Sequence, residues 1–380
     1  MSRIWTINGR FLTQNVTGVQ RYGREVLNAL DAHLEERHPL GHDLTLELLA
    51  PDADFSVPPL KRIRIRKASA LSGHLWEQLA LPLYARGGVL SLCNTSTILR
   101  AKQIVCVHDL NTMAYPNSYS FAFRMLYRTV VPWALKTASA VATVSRHSAR
   151  ELARHGLAVR GQIRIVPNGH EHVRRWRSIA TKATQAVADG ATIVVIGSPA
   201  PHKNIGLILD LAPELAQHGI RIAVVGRLDA RVFQKTEAKA ASENVVWIGG
   251  VSDDELMALY QSCLCLAFPS RAEGFGLPPL EAMALGCPVV SSDWASMPEV
   301  CGDAVLYASP DDRDAWLRAF LALRTDHKLR ERLIHRGLER ADQFTWRRSA
   351  ESYLELMSLL DGVAVADAAT DDQETATMRG

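Results

Sequence analysis

Short, nearly continuous apolar runs recur at residues 4–8, 103–107, 140–144, 163–166, 192–196, 220–225, 245–248, 263–268 and 288–292, and loops carrying Gly, Pro or Asn follow most of them. Runs of this length without alternation fit strands buried on both faces. The segments between them keep a different period. From about residue 17 to 36, Val19, Tyr22, Val26, Leu27, Leu30 and Leu34 recur at helical spacing behind Thr17, a suitable N-cap. Ser145 and Ser252 open two further helical stretches, the second with Glu255 completing a capping box. Strands alternating with helices predict parallel sheets covered by helices, the α/β class. With 380 residues, 47% of them apolar, the chain has enough material for two such domains with separate cores.

Three segments are less regular. In residues 74–85, Trp76, Leu79, Leu83 and Tyr84 read as a core-facing helical stripe. In residues 120–136, Phe121, Phe123, Met125, Leu126, Tyr127 and Trp133 are mixed with Arg124, Arg128 and Lys136, which suits either an amphipathic face lying on a membrane or a core helix broken near Pro132. Lys61, Arg62, Arg64, Arg66 and Lys67 alternate only partly with Ile63 and Ile65, as in a solvated edge strand; an anionic-lipid patch is the second reading.

The formal net charge of +3 hides a split: residues 1–185 carry 25 of the 43 Lys and Arg but only 12 of the 40 Asp and Glu, leaving 18 against 28 for the rest. The basic half suits an anionic acceptor or a membrane surface. No run approaches the roughly 20 apolar residues of a membrane span, and the start, MSRIWTINGRF, lacks the apolar region of a signal peptide. A cytoplasmic protein is expected, with peripheral contact to the inner face of an anionic membrane and no nucleic-acid partner. The six cysteines form no C-x-x-C pair, which predicts buried reduced thiols and no metal site.

Candidate chemistry concentrates at residues 263–293. Two buried strands flank a loop at 270–277 and a helix beginning near Pro279; Pro278 and Pro279 suit a first helical turn, and Gly286 suits the left-handed position that ends a helix. In open α/β sheets ligands bind at such strand ends, where free amides and the helix dipole attract phosphate. Glu273 lies in the loop beside Gly274, and Glu281 falls in the first turn of the helix. Two carboxylates flanking a phosphate cradle suit a nucleotide diphosphate sugar, which has hydroxyls at both ends. For an isolated E-x7-E pair, a dipole-favoured helix carboxylate beside an unrelated loop Glu is the competing reading.

The string R-A-E-G-F-G-L-P-P-L-E-A-M-A-L-G-C-P-V-V resembles the donor-binding signature of glycosyltransferase family 4, retaining enzymes of the GT-B fold. The resemblance implies two Rossmann-like domains with an interdomain cleft: an acceptor-binding domain at 1–170 and a nucleotide-sugar-binding domain at 171–345. A helix at 346–361 then crosses back to the first domain, and the polar tail at 362–380 is expected to be disordered. Glu273 would hold hydroxyls of the transferred sugar and Glu281 the ribose, with the loop Gly274, Phe275, Gly276 and Leu277 around the diphosphate.

Lys203, after the strand at 192–196, would stabilise the departing diphosphate; an exposed loop lysine is the plain alternative. T-G-V-Q-R-Y resembles the family element whose glycine, here Gly18, lines the cleft, although a tight turn explains that residue equally well alone. His108-Asp109 resembles the family's H-D, with His108 on the transferred sugar or acceptor and Asp109 supporting its loop. Ser198 stands where many members carry an Arg, so either His202, Arg227 or an arginine of the first domain such as Arg21 replaces that cation beside the donor, or the diphosphate is bound more weakly. The implied activity is retaining transfer of a hexose to a glycan or lipid-linked oligosaccharide in cell-surface polysaccharide synthesis, with mannose from GDP-mannose as the donor and neither metal nor cofactor. A GT-B nucleotide-sugar epimerase or a non-catalytic nucleotide-sugar-binding protein would share the architecture.

Overall fold

The computed structural model describes residues 3–116, 120–158, 162–197, 200–226 and 242–363. Seven strands, β1 (Arg3–Asn8), β2 (Leu44–Ala50), β3 (Arg64–Lys67), β4 (Gly88–Ser91), β5 (Gln103–Val107), β6 (Ala140–Thr143) and β7 (Ile163–Ile165), form one sheet in the order β3-β2-β1-β4-β5-β6-β7. Six more, β8 (Thr192–Ile196), β9 (Arg221–Val225), β10 (Val245–Gly249), β11 (Cys265–Phe268), β12 (Val289–Ser292) and β13 (Leu306–Ala308), form a second in the order β10-β9-β8-β11-β12-β13. The pairings are parallel in both. Every residue of β4, β5, β11 and β12 is buried, as apolar runs covered by helices on both faces must be. Each sheet winds outward in both directions from its first strand, so a crevice opens beyond the ends of β1 and β4, and another beyond β8 and β11. The fold is the expected α/β arrangement of two Rossmann-like sheets.

The basic segment leads into β3, an edge strand, and two of its five cations pair locally: Lys61 lies 2.7 Å from Glu35 and Arg66 3.4 Å from Glu47. That is the solvated-edge reading. The helix Trp346–Leu360 lies against Gly18–Glu35, burying Trp346, Ala350, Tyr353, Leu354 and Met357 in the same core as Tyr22, Val26 and Leu30. Its Tyr353 hydroxyl is 2.8 Å from that of Tyr22. All six cysteines are buried and unbridged. Among the described residues no helix is long and apolar enough to cross a membrane. The tail beyond residue 363 lies outside the described residues.

Three local expectations need correction. Trp76 is buried, but Leu79, Leu83 and Tyr84 are exposed, because residues Trp76–Ala80 form a π-helical turn. The wider turn rotates the frame, so that Ala80 and Leu81 join Trp76 inside and Leu83 swings out. Phe121–Thr137 is one helix with Pro132 inside it, not a helix broken there. The helix after the Gly-rich loop spans Leu277–Ala284, two residues earlier at its start than the prolines suggest, so Glu281 sits in its second turn and no carboxylate occupies the first.

Candidate active site

The two crevices face each other across a cavity of about 770 Å³. One wall comes from the chain after β1, β4 and β5, including Arg10, Gly18, Asn94 and His108; the other comes from the chain after β8 and β11. His202, Lys203, Glu273, Gly274, Phe275, Gly276, Leu277 and Glu281 all line that second wall, so every described candidate from the sequence borders one space. Ser198 and Arg227 lie outside the described residues.

Lys203 and Glu273 meet directly, Nζ to Oε1 at 2.6 Å, across the switch point between β8 and β11. Ser270 Oγ donates to the same Oε1 at 2.6 Å and so fixes the carboxylate. An ammonium has three donors, which leaves Lys203 capacity for a second anion while Glu273 takes one. Gly276 adopts φ +106°, a conformation that strains any L side chain, and a Cβ there would also displace the Met297 thioether, 2.3 Å away at Cε. Because Pro278 and Pro279 carry no N–H, the turn opening Leu277–Ala284 offers an anion only the amides of Gly276 and Leu277 among its first positions. The N-terminus of Gly18–Glu35 enters the cavity from the other side, and an added Cβ at Gly18 would meet open space rather than protein. The Phe275 ring packs edge-on to Phe344 at 5.5 Å.

Glu281 is buried and held by a relay absent from the sequence reading. His172 Nε2 donates to Glu281 Oε1 at 2.9 Å, and Trp346 Nε1 donates to His172 Nδ1 at 3.0 Å. Both bonds are satisfied by the neutral imidazole carrying its proton on Nε2. Arg21 lies 3.8 Å from Glu281 through Nε and 2.6 Å from Asp253 through Nη2, and its guanidinium stacks 5.5 Å over Trp176. Of the three cations expected to replace the one missing at Ser198, His202 lines the cavity, and burial, aided by the charge of Lys203, lowers its pKa. Arg21 is a permanent cation on the cavity wall.

His108 ends β5 as expected, but its tautomer is set by the main chain rather than by Asp109. Nε2–H donates to the Leu92 carbonyl at 2.8 Å, leaving Nδ1 as the nitrogen with a lone pair. Burial lowers the imidazole pKa to about 4, so it is a neutral acceptor. Asp109 Oδ1 accepts from the Asn111 amide at 2.9 Å, a loop-supporting role, and burial raises its pKa.

The Gly-rich loop also closes on the first sheet. A Cβ at Gly274 would lie 2.2 Å from the His108 carbonyl oxygen, so only glycine allows this approach. Ser145 and Ser148 donate to the Gly274 carbonyl at 2.6 and 3.1 Å. Glu299 accepts from the amides of Arg146 and His147 at 2.7 and 3.1 Å, placing a carboxylate from the second sheet's layer on the N-terminus of the helix Arg146–Arg154. Glu299 itself lies in the first turn of the helix Met297–Cys301. Nothing local to Ser145, His172 or Glu299 marks partners more than a hundred residues away.

A 171-residue stretch is 37% identical to O-antigen chain mannosyltransferase B of Escherichia coli, covering 43% of this chain and 45% of that protein. Another of 228 residues is 30% identical to O-antigen chain mannosyltransferase RfbU of Salmonella typhimurium, covering 60% and 62%. The chain thus spans about half the length of the curated relatives it matches. The solved structure of sucrose-phosphate synthase from Thermosynechococcus elongatus shares the two-domain GT-B fold, with a TM-score of 0.70 at 18% identity over 95% of this chain and 100% of that one. Residues 178–340, which hold Lys203, Glu273 and Glu281 and build one wall of the cavity, match the family model described as glycosyl transferases group 1.

Proposed function

We propose that the protein is a retaining glycosyltransferase that moves a hexose from a nucleotide diphosphate sugar to a glycan or lipid-linked acceptor in cell-surface polysaccharide synthesis. The observation that carries this reading is the convergence, on one cavity between two Rossmann-like sheets, of Lys203, the carboxylates of Glu273 and Glu281, and two helix N-termini. The similarity to two O-antigen mannosyltransferases supports the substrate class. It also favours mannose as the sugar; GDP-mannose as the donor is our own choice for the first compound in the panel.

In this reading Lys203 and the amides of Gly276 and Leu277 hold the diphosphate, Arg21 supplies the second cation, and Glu281 takes the ribose hydroxyls. Glu273 and the lone pair of His108 Nδ1 orient the sugar. The bond from the sugar's C1 to the diphosphate oxygen breaks, the acceptor oxygen bonds to C1 on the same face, and its proton passes to the departing diphosphate. No protein base and no metal is required. Electrostatic stabilisation of the leaving group then supplies most of the rate.

The test is release of nucleoside diphosphate from a panel of donors, with and without lipid-linked acceptors. Acceptor-dependent release is the expected result. An epimerase would convert the sugar without acceptor, and a sensor would bind without turnover; either outcome replaces this reading. Lys203→Ala and Glu273→Ala should each lower transfer by about 10²–10³-fold with unchanged thermal unfolding. Wild-type rates in either variant would remove that residue from the assignment.

A further inference from the structure

We propose that His172 is a positioning residue for the donor's ribose: from the joint between the two layers it orients the Glu281 carboxylate, and so sets how strongly the site prefers a ribonucleotide to its 2′-deoxy counterpart. The role rests on the donor reading, in which Glu281 takes the ribose hydroxyls. Among the described residues the Glu281 carboxylate has two polar partners, and neither belongs to the layer of its own helix, Leu277–Ala284. His172 Nε2 donates to Oε1 at 2.9 Å from the short helical turn Glu171–Arg175, which lies between β7 and β8. Arg21 Nε stands 3.8 Å from the same oxygen, on the helix Gly18–Glu35. The turn is itself fastened to the first layer. Arg175 Nη2 reaches both oxygens of Glu25 at 2.5 and 2.6 Å, and Glu171 Oε2 accepts from the Trp346 amide at 2.7 Å, at the start of the crossing helix. A Cβ at Gly169 would lie 2.1 Å from that same amide nitrogen, so the two segments that pass between the layers touch there.

Donor and acceptor rules at the joint admit one arrangement. Trp346 Nε1–H can only donate, so His172 Nδ1 accepts from it at 3.0 Å, and Nε2 carries the proton that Glu281 receives. The imidazole is buried, and the rings of Trp176 and Trp346 lie 5.3 and 5.8 Å from it, which holds its plane. This bond is made to Oε1, whereas Oε2 has no hydrogen-bond partner among the described residues and Glu281 lines the cavity. An ionised carboxylate has acceptor sites on both oxygens, so a vicinal diol can donate to the two at once when the carboxylate plane is held. Hydrogen bonds to a charged group are stronger than neutral ones, so loss of one ribose hydroxyl from such a pair weakens binding by about tenfold or more. Without the Nε2–H, the buried carboxylate keeps Arg21 alone and turns toward it, which draws the guanidinium from the diphosphate. The layer that grips the diphosphate therefore does not aim its own ribose carboxylate; the joint does. A packing role for His172 is the competing reading, and it predicts equal losses for ribo- and deoxyribonucleotides.

The experiment is isothermal titration calorimetry of the full chain with GDP and 2′-deoxy-GDP, and with UDP and 2′-deoxy-UDP, beside thermal unfolding of each variant. The wild type should bind a ribonucleotide about tenfold or more tightly than its deoxy counterpart. His172→Leu keeps the bulk and loses the donor, and should bring that ratio to about one. His172→Gln, whose amide N–H can donate to Glu281, should keep most of it. Trp346→Phe removes the bond that fixes the tautomer and should lower the ratio by an intermediate factor; it carries the test if His172→Leu does not fold. An unchanged ratio in whichever of these two variants folds, with both affinities lowered alike, would make His172 a packing residue and overturn the proposal while leaving Glu281 on the ribose. A wild type that shows no preference, or binds neither pair, would overturn the ribose assignment of Glu281 itself, and the positioning role with it.

Discussion

His108 shows how far one residue's environment can move its chemistry. Its position at the end of β5 is plain in the sequence, since an apolar run stops there. Its protonation state is not, because the group that sets it, the Leu92 carbonyl, belongs to the loop after another strand. The unfolded chain takes up a proton near pH 6.5 and the folded one only near 4, so the unfolded state binds more protons between those values. The associated stability is fully present above pH 6.5 and is lost as pH falls toward 4, a change of about 3 kcal/mol for this group alone. Urea unfolding from pH 7.5 to 4.5 should therefore lose more stability in the wild type than in His108→Gln, whose amide can donate to the same carbonyl without titrating. Equal pH slopes would show that the imidazole is not held neutral. Between pH 6.5 and 8 the residue stays uncharged, so it should contribute no inflection to a transfer rate profile.

The elements read best from sequence are those whose signal is local. The strands β5, β8 and β11 are apolar runs broken at most by their first residue, and the loop and helix between β11 and β12 carry Gly and Pro at positions where backbone geometry demands them. The π-turn at Trp76–Ala80 has no such marker, and one extra residue in a turn sent two leucines and a tyrosine to the opposite face. The Lys203–Glu273 pair, likewise, joins loops after different strands, so its members were legible and their contact was not. The tightest demand in the site falls between elements, at Gly274. Gly274→Ala places a methyl 2.2 Å from the His108 carbonyl, and the two walls must part to admit it. Loss of transfer by at least about 10²-fold with little change in Tm is expected, since misplacing aligned groups by about 1 Å has that effect. A fully active alanine variant would show that the contact is dispensable.

At the scale of the whole molecule, polar contacts tie the walls together beside an apolar core that they share: Ser145 and Ser148 on Gly274, Glu299 on a helix N-terminus, and Arg21 on Asp253. A cap of this kind contributes about 1 kcal/mol, small enough for ligand binding to trade against. Ser145→Ala with Glu299→Ala should raise the radius of gyration measured by small-angle X-ray scattering and raise KM for the donor. No change in either would mean the closed arrangement has other causes. The far end of the described chain is bound differently, through Tyr353, Leu354 and Met357 packed into the first sheet's own core beside Tyr22. A nascent chain leaving the ribosome therefore presents a bare apolar groove on its first half for as long as the next two hundred or so residues take to be made. Until the helix Trp346–Leu360 emerges, that groove is a place for chaperones to hold or for aggregation to begin.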